Sequence, residues 1–256
     1  MGSDIQKPPV LDIVIVNWNA GSALADCVAS VYSAQATQFQ LGTVVVVDNG
    51  SADGSLTDLD RCEHRLTKIV RNKANLGFGR ACNVGASTGS GDVILFLNPD
   101  AVLGRLSLDV PMAHLAESRD SGVAICGIQL VDVTGNVARS CARCPTPWMF
   151  LVGALGLDRL SFGTLRTHVM SEWPHDASQA VDHVIGAMYM IRRQVFDALG
   201  GFDERFFVYL EDLDLSCRAK KAGWSITYLA SCRAFHEGGG TSRSVLDIRL
   251  FYSLHS

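Results

Sequence analysis

The sequence predicts an α/β fold, a mostly parallel central sheet flanked by helices, and three observations carry that expectation. Short β-rich, largely apolar runs recur at residues 10–16, 43–47 and 92–97. Stretches with helical spacing of apolar residues lie between them. Each run stops at a polar or acidic cluster: Asn17-Trp18-Asn19, Asp48-Asn49-Gly50-Ser51 and Asn98-Pro99-Asp100. Strands that are apolar throughout are buried on both faces, so they need helices on either side and parallel crossover connections.

Taken in order, residues 10–16 form the first strand, and residues 22–34 form a helix with Leu24, Cys27, Val28 and Val31 on one face. Residues 43–47 are the second strand and 66–70 a shorter third. A helix is expected over 79–88, ended by Gly89-Ser90-Gly91 ahead of the strand 92–97. A helix around 106–117 and a strand over 123–130 follow, and Thr134-Gly135-Asn136 reads as the turn of a hairpin. Residues 141–175 carry Pro145, Pro147, Pro174 and several glycines with no period, which marks a loop-rich insertion. Regularity returns with a strand over 181–191, a short helix 192–199, a helix 211–222 and a strand 225–229.

Composition narrows the function classes. The 256 residues, 48% apolar and 19% charged, can bury a sizeable core. A net charge of −4 with no Lys/Arg stripe argues against DNA or RNA as partner. The eight cysteines are scattered, several within apolar runs, which reads as packed free thiols in a reducing compartment. Cys141 and Cys144 have metal-knuckle spacing, but no second pair completes four ligands. Residues 1–9 hold no apolar core for export and read as a leader, and the apolar stretch 148–157 is far short of the ~20 residues that span a bilayer. The expected location is the cytoplasm, with peripheral contact at the inner face of the cell membrane left open.

In an open parallel sheet, ligands bind beyond the carboxyl ends of the strands, so Asn17, Asp48 and Asp100 should share a crevice. Its polar and acidic content suits hydrogen bonds to a base and ribose and a carboxylate for a metal. The segment from Gly77-Phe78-Gly79 to Gly85 has the wrong spacing and place for a dinucleotide fingerprint. It reads either as a loop-to-helix turn or as a nucleotide-contacting loop. Pro99 stops the strand before Asp100 and projects its carboxylate past the sheet edge, where a hard divalent cation would bridge diphosphate oxygens. An Asx-type turn is the competing reading. Glu211, Asp212 and Asp214 open a helix and suit its positive end, and Asp214 stands four before Arg218, a surface-pair spacing. Asp212 and Glu211 remain as carboxylates able to take a proton from an acceptor hydroxyl. His236, taken alone, reads as a packed or hydrogen-bonded residue, and His183 as a strand residue.

Six segments, DIVIVNWN (12–19), VDNGSADGS (47–55), NLGFGRACN (75–83), LFLNPDA (95–101), GGFDERFFVYLEDLD (200–214) and the run from His236 to Gly239, together resemble family 2 glycosyltransferases of the GT-A fold. The likeness is to their rhamnosyltransferase-like branch in particular, and it spans nearly residues 10–240 in the expected order. It implies a GT-A domain over 10–240, with a nucleotide-sugar-binding half (10–130), an acceptor and catalytic half (131–240), and the start of a C-terminal helical tail at 241–256. It further implies inverting transfer from a nucleotide-diphosphate sugar to a glycan or lipid-linked glycan acceptor with Mg²⁺ or Mn²⁺. On this resemblance Asp48 contacts the base or ribose, and Asn17, Asn49, Ser51, Asn75, Gly77 and Phe78 line the nucleotide pocket. Asp100 matches the last aspartate of the family's DXD motif and binds metal, His236 matches a downstream metal or diphosphate ligand, and Asp212 matches the catalytic base with Glu211 beside it. The first aspartate of DXD is Asn98 here, which keeps an acceptor and loses a charge. That NPD form makes dTDP-β-L-rhamnose the first donor expectation, with UDP-galactose or UDP-glucose as alternatives, and a noncatalytic sugar-nucleotide-binding module is the rival from another class.

Overall fold

The computed structural model describes residues 7–34, 36–59, 67–118, 121–146, 148–149, 168, 170 and 172–236. The first half alternates as expected. Strands β1 (Val10–Asn17), β2 (Gln40–Asp48), β3 (Thr67–Arg71) and β4 (Val93–Leu97) are interleaved with helices α1 (Ala23–Ser33), α2 (Ser55–Leu59) and α3 (Phe78–Ala86). A three-residue strand β5 (Ala101–Leu103), helix α4 (Asp109–Glu117) and strand β6 (Val123–Val131) follow. The second half supplies β7 (Cys141–Ala142), β8 (Gln179–Val181), β9 (His183–Val184), β10 (Met188–Arg192), α5 (Arg193–Ala198), α6 (Glu211–Lys221) and β11 (Ser225–His236).

The main sheet has the order β3-β2-β1-β4-β10-β6-β11-β5, with β8 against β11. The first four strands are wholly parallel, as are β6 and β11, while β10 runs antiparallel between β4 and β6. Side chains alternate across a strand, so each strand feeds two cores. Leu11, Ile13 and Ile15 of β1 pack on one face with Leu24, Val28 and Val31 of α1 and Met112 and Leu115 of α4. Val14 and Val16 pack on the other with Ala81 and Ala86 of α3, Phe196 of α5 and Leu215 of α6. Burial on both faces is why the strands are apolar nearly throughout, Asp12 of β1 being buried with partners of its own: the Thr43 and Gly91 N–H groups and Arg193.

Three expectations need correction. The single strand over 181–191 is three short strands, because the chain changes partner twice: β8 pairs with β11, β9 with β7, and β10 with β4 and β6. Hydrophobicity cannot register a change of partner when every partner is apolar. The last strand runs seven residues beyond the expected 229, through a register shift after Leu229, to end at His236. The cysteines are not all free: Cys144 and Cys217 form a disulfide with a Cα–Cα distance of 5.8 Å across 73 residues, whereas Cys141 is a buried thiol. That pairing disposes of the knuckle reading, since Cys144 is spent on a partner in α6.

The hairpin turn is present, with Gly135 at φ 81° and Val131 bridged to Val137. No helix among the described residues is long and apolar enough to cross a membrane. The expectations for residues 1–6, for most of the 148–157 stretch and for the 241–256 tail lie outside the described residues.

Candidate active site

The first cluster sits where β1 and β2 end side by side, Asn17 being the register partner of Asp48. Asn17 is fully buried, and its amide nitrogen lies 2.9 Å from Asp48 Oδ1, 3.1 Å from Ser51 Oγ and 2.8 Å from Ser55 Oγ. Asn17 therefore holds the Asp48 carboxylate and the following loop in one arrangement. Ser51 Oγ also accepts the backbone N–H of Asn19, at 3.0 Å.

Next to it, Asn49 organises the entrance to α3. Its Nδ2 donates to Asn75 Oδ1 (2.8 Å) and to the Gly77 carbonyl (3.2 Å), and its Oδ1 accepts from Asn72 Nδ2 (3.1 Å) and the Leu76 N–H (3.0 Å). Asn75 Oδ1 also takes the Gly77 N–H at 2.9 Å. Gly77 has φ 89°, and a Cβ there would stand 2.5 Å from the Phe207 carbonyl oxygen, so only glycine fits the conformation and the contact. The Phe78 N–H donates to that same carbonyl at 2.8 Å. The 75–78 loop and the 202–211 segment are thereby locked together.

The third cluster depends on β5. In its register with β11, His236 lies opposite Ala101, the residue after Asp100. His236 Nε2 is 3.3 Å from Asp100 Oδ1 and 3.3 Å from Asn98 Nδ2. The Asp100 and His236 side chains are only 13% and 10% exposed. A carboxylate oxygen and an imidazole nitrogen this close form a mixed O/N donor pair that suits Mn²⁺ and, less well, Mg²⁺. Such ions complete their shells with diphosphate oxygens and water rather than an all-protein cage. The donor set fits a metal held jointly with a nucleotide, although among the described residues no group of three His, Cys, Asp or Glu converges on one point.

The fourth cluster opens α6. Tyr209 (φ 65°) and Leu210 (φ 68°) are consecutive left-handed residues, a conformation that costs about 1–2 kcal/mol each outside glycine. They turn the chain so that Glu211 and Asp212 begin the helix in different surroundings. Glu211 is 4% exposed and its Oε2 has no hydrogen-bond partner among the described residues. It packs against α3, where a Cβ on Gly79 would lie 3.5 Å from its side chain. Burial first, and the neighbouring Asp212 charge second, push the Glu211 carboxyl well above the usual carboxylate range. Asp212 instead accepts the Gly186 N–H on Oδ2 (2.6 Å) and the Leu213 N–H on Oδ1 (2.8 Å).

The third and fourth clusters are joined by two adjacent residues. Gly186 donates to Asp212, and the carbonyl of Ala187 accepts the Asn98 N–H at 3.0 Å. A continuous chain of contacts thus runs Asp212, Gly186, Ala187, Asn98, His236, Asp100. The Phe78 ring closes on the same place, since a Cβ on Gly186 would be 3.6 Å from Phe78 Cε1 and 3.2 Å from Asp212 Oδ2. Asp214 faces away and pairs with Arg218 at 2.6 Å, the role expected from the spacing.

Sequence reasoning missed Ser55, Gly186 and a buried polar group behind Asp212. His183 Nε2 is 3.8 Å from Asp212 Oδ2, His183 Nδ1 is 3.0 Å from Ser216 Oγ, and Tyr189 Oη is 3.0 Å from that same hydroxyl. One signal was available: Ser216 lies one helical turn after Asp212, on the same face of α6.

Comparison with known proteins bears on this arrangement. The family model described as glycosyltransferase like family 2 matches residues 8–249. The N-acetylglucosaminyl-diphospho-decaprenol L-rhamnosyltransferase of Mycobacterium tuberculosis (strain ATCC 25618 / H37Rv) is 28% identical over 251 residues, covering 89% of this chain and 76% of the relative. Rhamnosyltransferase WbbL of Escherichia coli (strain K12) is 24% identical over 220 residues, covering 83% and 79%. Among solved structures, GalNAc-T7 with UDP, GalNAc and Mn²⁺ superimposes with a TM-score of 0.66 at 19% identity. That likeness is one of fold, and it covers 90% of this chain but 43% of that one.

Proposed function

Because the chain belongs to glycosyltransferase like family 2, we propose that it is an inverting transferase carrying L-rhamnose from dTDP-β-L-rhamnose to a hydroxyl of a glycan or lipid-linked glycan, with a divalent metal. The observation that carries this reading is the contact chain from Asp212 through Gly186, Ala187 and Asn98 to His236 and Asp100. It brings the Asp212 carboxylate and the Asp100–His236 pair to one region, which supports reading them as the proton acceptor and the metal ligands that sugar transfer from a diphosphate calls for. Two relatives are rhamnosyltransferases, which supports rhamnose, and the diphospho-decaprenol substrate of one supports a lipid-linked acceptor.

In this reading Asp48 receives the base or ribose while Asn17 holds it from behind. Asn49 and Asn75 shape the loop that presents Gly77 and Phe78 to the nucleotide. Asp100 and His236 would hold the metal, which would supply positive charge to offset that developing on the departing diphosphate. Asp212 takes the proton from the acceptor hydroxyl as it attacks the anomeric carbon, and Phe78 and Gly186 limit the room for water beside it. One displacement inverts the anomeric centre and yields an α-L-rhamnoside. A UDP-sugar donor is the second reading, supported by the UDP in the fold neighbour.

Thermal-shift binding separates the two donors, because a ligand bound only by the native state raises its apparent stability. The expected result is a Mn²⁺-dependent rise in Tm that is largest with dTDP-β-L-rhamnose and lost in Asp100→Ala. A larger rise with UDP-sugars would transfer the assignment to the second reading. A response independent of metal and unchanged in Asp100→Ala would refute the metal site.

A further inference from the structure

A polar group buried away from water needs partners, and a chain of such groups behind a reactive carboxylate needs a reason. His183 is 4% exposed, while Ser216 and Tyr189 are both fully buried. The three come from different elements, β9, α6 and β10, so their alignment is a product of the tertiary fold.

Proton counting fixes the direction of the chain. The Ser216 hydroxyl has one proton and two neighbours, Tyr189 Oη and His183 Nδ1, each at 3.0 Å. Burial, the main cause, drives the Tyr189 hydroxyl far above its ordinary value, so it keeps its proton. If His183 Nδ1–H donated to Ser216 and Ser216 to Tyr189, the Tyr189 proton would have no acceptor among the described residues. Run the other way, Tyr189 donates to Ser216 and Ser216 to His183 Nδ1, so both buried hydroxyl protons have acceptors and the bare ring nitrogen does not face the Asp212 carboxylate. The imidazole is then the Nε2–H tautomer, with that N–H turned toward Asp212 Oδ2 at 3.8 Å. Burial, opposed by the Asp212 charge, holds His183 below its usual value, in keeping with a neutral ring that carries this single proton.

We propose that His183, oriented by Ser216 and Tyr189, is a positioning residue for Asp212, its Nε2–H holding the carboxylate on the acceptor hydroxyl together with the Gly186 N–H. This rests on the reading of Asp212 as the base. His183 is buried behind Asp212 and acts through it. The 3.8 Å separation is longer than a hydrogen bond and is the kind of catalytic contact that tightens when the site is loaded. Since Asp212 and Ser216 are one turn apart on α6, the helix that carries the base also carries the hydroxyl that orients its partner.

Two measurements test this. The first is imidazole ¹⁵N NMR of the intact protein. His183 is expected as the neutral Nε2–H tautomer, its signals moved by Asp212→Asn and its tautomer lost in Ser216→Ala. An Nδ1–H tautomer, or signals indifferent to Asp212→Asn, would overturn the proposal without any reference to activity. The second is turnover of dTDP-β-L-rhamnose with an N-acetylglucosaminyl-diphospho-prenol acceptor. His183→Leu should lower kcat by roughly 10–100-fold, the scale on which orienting partners act, with the donor KM unchanged. His183→Gln, which keeps an N–H donor, should recover most of the loss. A folded His183→Leu with kcat within about twofold of the parent, or equal losses in both variants, would overturn it. If His183→Leu does not fold, Ser216→Ala against Ser216→Thr makes the same comparison. Asp212→Asn measured beside them separates the two ideas. Turnover surviving in Asp212→Asn sinks the base assignment, whereas its loss with His183→Leu unaffected sinks only the positioning role.

Discussion

Two neighbouring carboxylates open α6, and their surroundings divide the labour between them. Glu211 is buried against α3 with one oxygen unpartnered, and its raised value keeps it protonated at neutral pH. A protonated acid cannot take the acceptor proton. Asp212 accepts two backbone N–H bonds, which fix the orientation of its carboxylate. Asp212→Asn is therefore expected to cut kcat by ~10²–10⁴ with nucleotide affinity retained, as read from steady-state kinetics beside a binding isotherm. Glu211→Gln should leave kcat nearly intact and change the pH dependence of stability instead. The native Glu211 value lies above the ordinary ~4.3 of the unfolded chain, so the native state binds the proton more tightly. Its stabilising effect is full below that ordinary value and is lost as pH climbs toward the raised one. The Gln variant escapes that loss, so its Tm advantage should widen between pH 5 and pH 8, and a gap that stays constant with pH would refute the burial argument. Both acids were legible as candidates from their place at a helix start. The resemblance singled out Asp212 as the base, but the difference in surroundings was not legible, because Glu211 is buried by α3, more than 120 residues away in sequence.

At the scale of elements, the site depends on pieces too short to announce themselves. The three residues of β5 bring His236 to Asp100 across 136 residues, and no periodicity can be read from three residues. The long strands, by contrast, were legible because burial on both faces writes a nearly unbroken apolar run. The strand over 181–191 was over-read for the same reason, since the turn at Gly186 that serves Asp212 sits inside an apolar stretch. The disulfide between Cys144 and Cys217 ties the start of the loop-rich insertion to α6, the helix that carries Asp212. Scattered cysteines gave no signal for it, because pairing follows tertiary proximity rather than spacing. Closing a loop across 73 residues restricts the unfolded chain, and Cys217→Ser is expected to cost roughly 2–4 kcal/mol, a fall in Tm of roughly 5–15 °C. Differential scanning calorimetry with and without reductant checks this. The parent should lose the difference on reduction, and the variant should not respond.

Over the whole molecule, one mixed sheet gathers the chemistry at the carboxyl ends of β1, β2 and β4 and completes it from the far side with β11 and α6. The general location of the crevice was legible, because a parallel sheet puts its loops where Asn17, Asp48 and Asp100 stand. The closing half was legible chiefly through the ordered series of motifs, since its contacts join residues from distant parts of the chain. In the proposed function the chain transfers a sugar from a nucleotide diphosphate with the aid of a metal at Asp100 and His236. The most direct measurement follows the anomeric proton of the product by NMR while dTDP-β-L-rhamnose, Mn²⁺ and an N-acetylglucosaminyl-diphospho-prenol acceptor are turned over. The expected products are an α-L-rhamnoside and an equal quantity of dTDP, both abolished by a chelator and by Asp100→Ala. A β-linked product, or turnover that persists unchanged without metal, would contradict the proposed function.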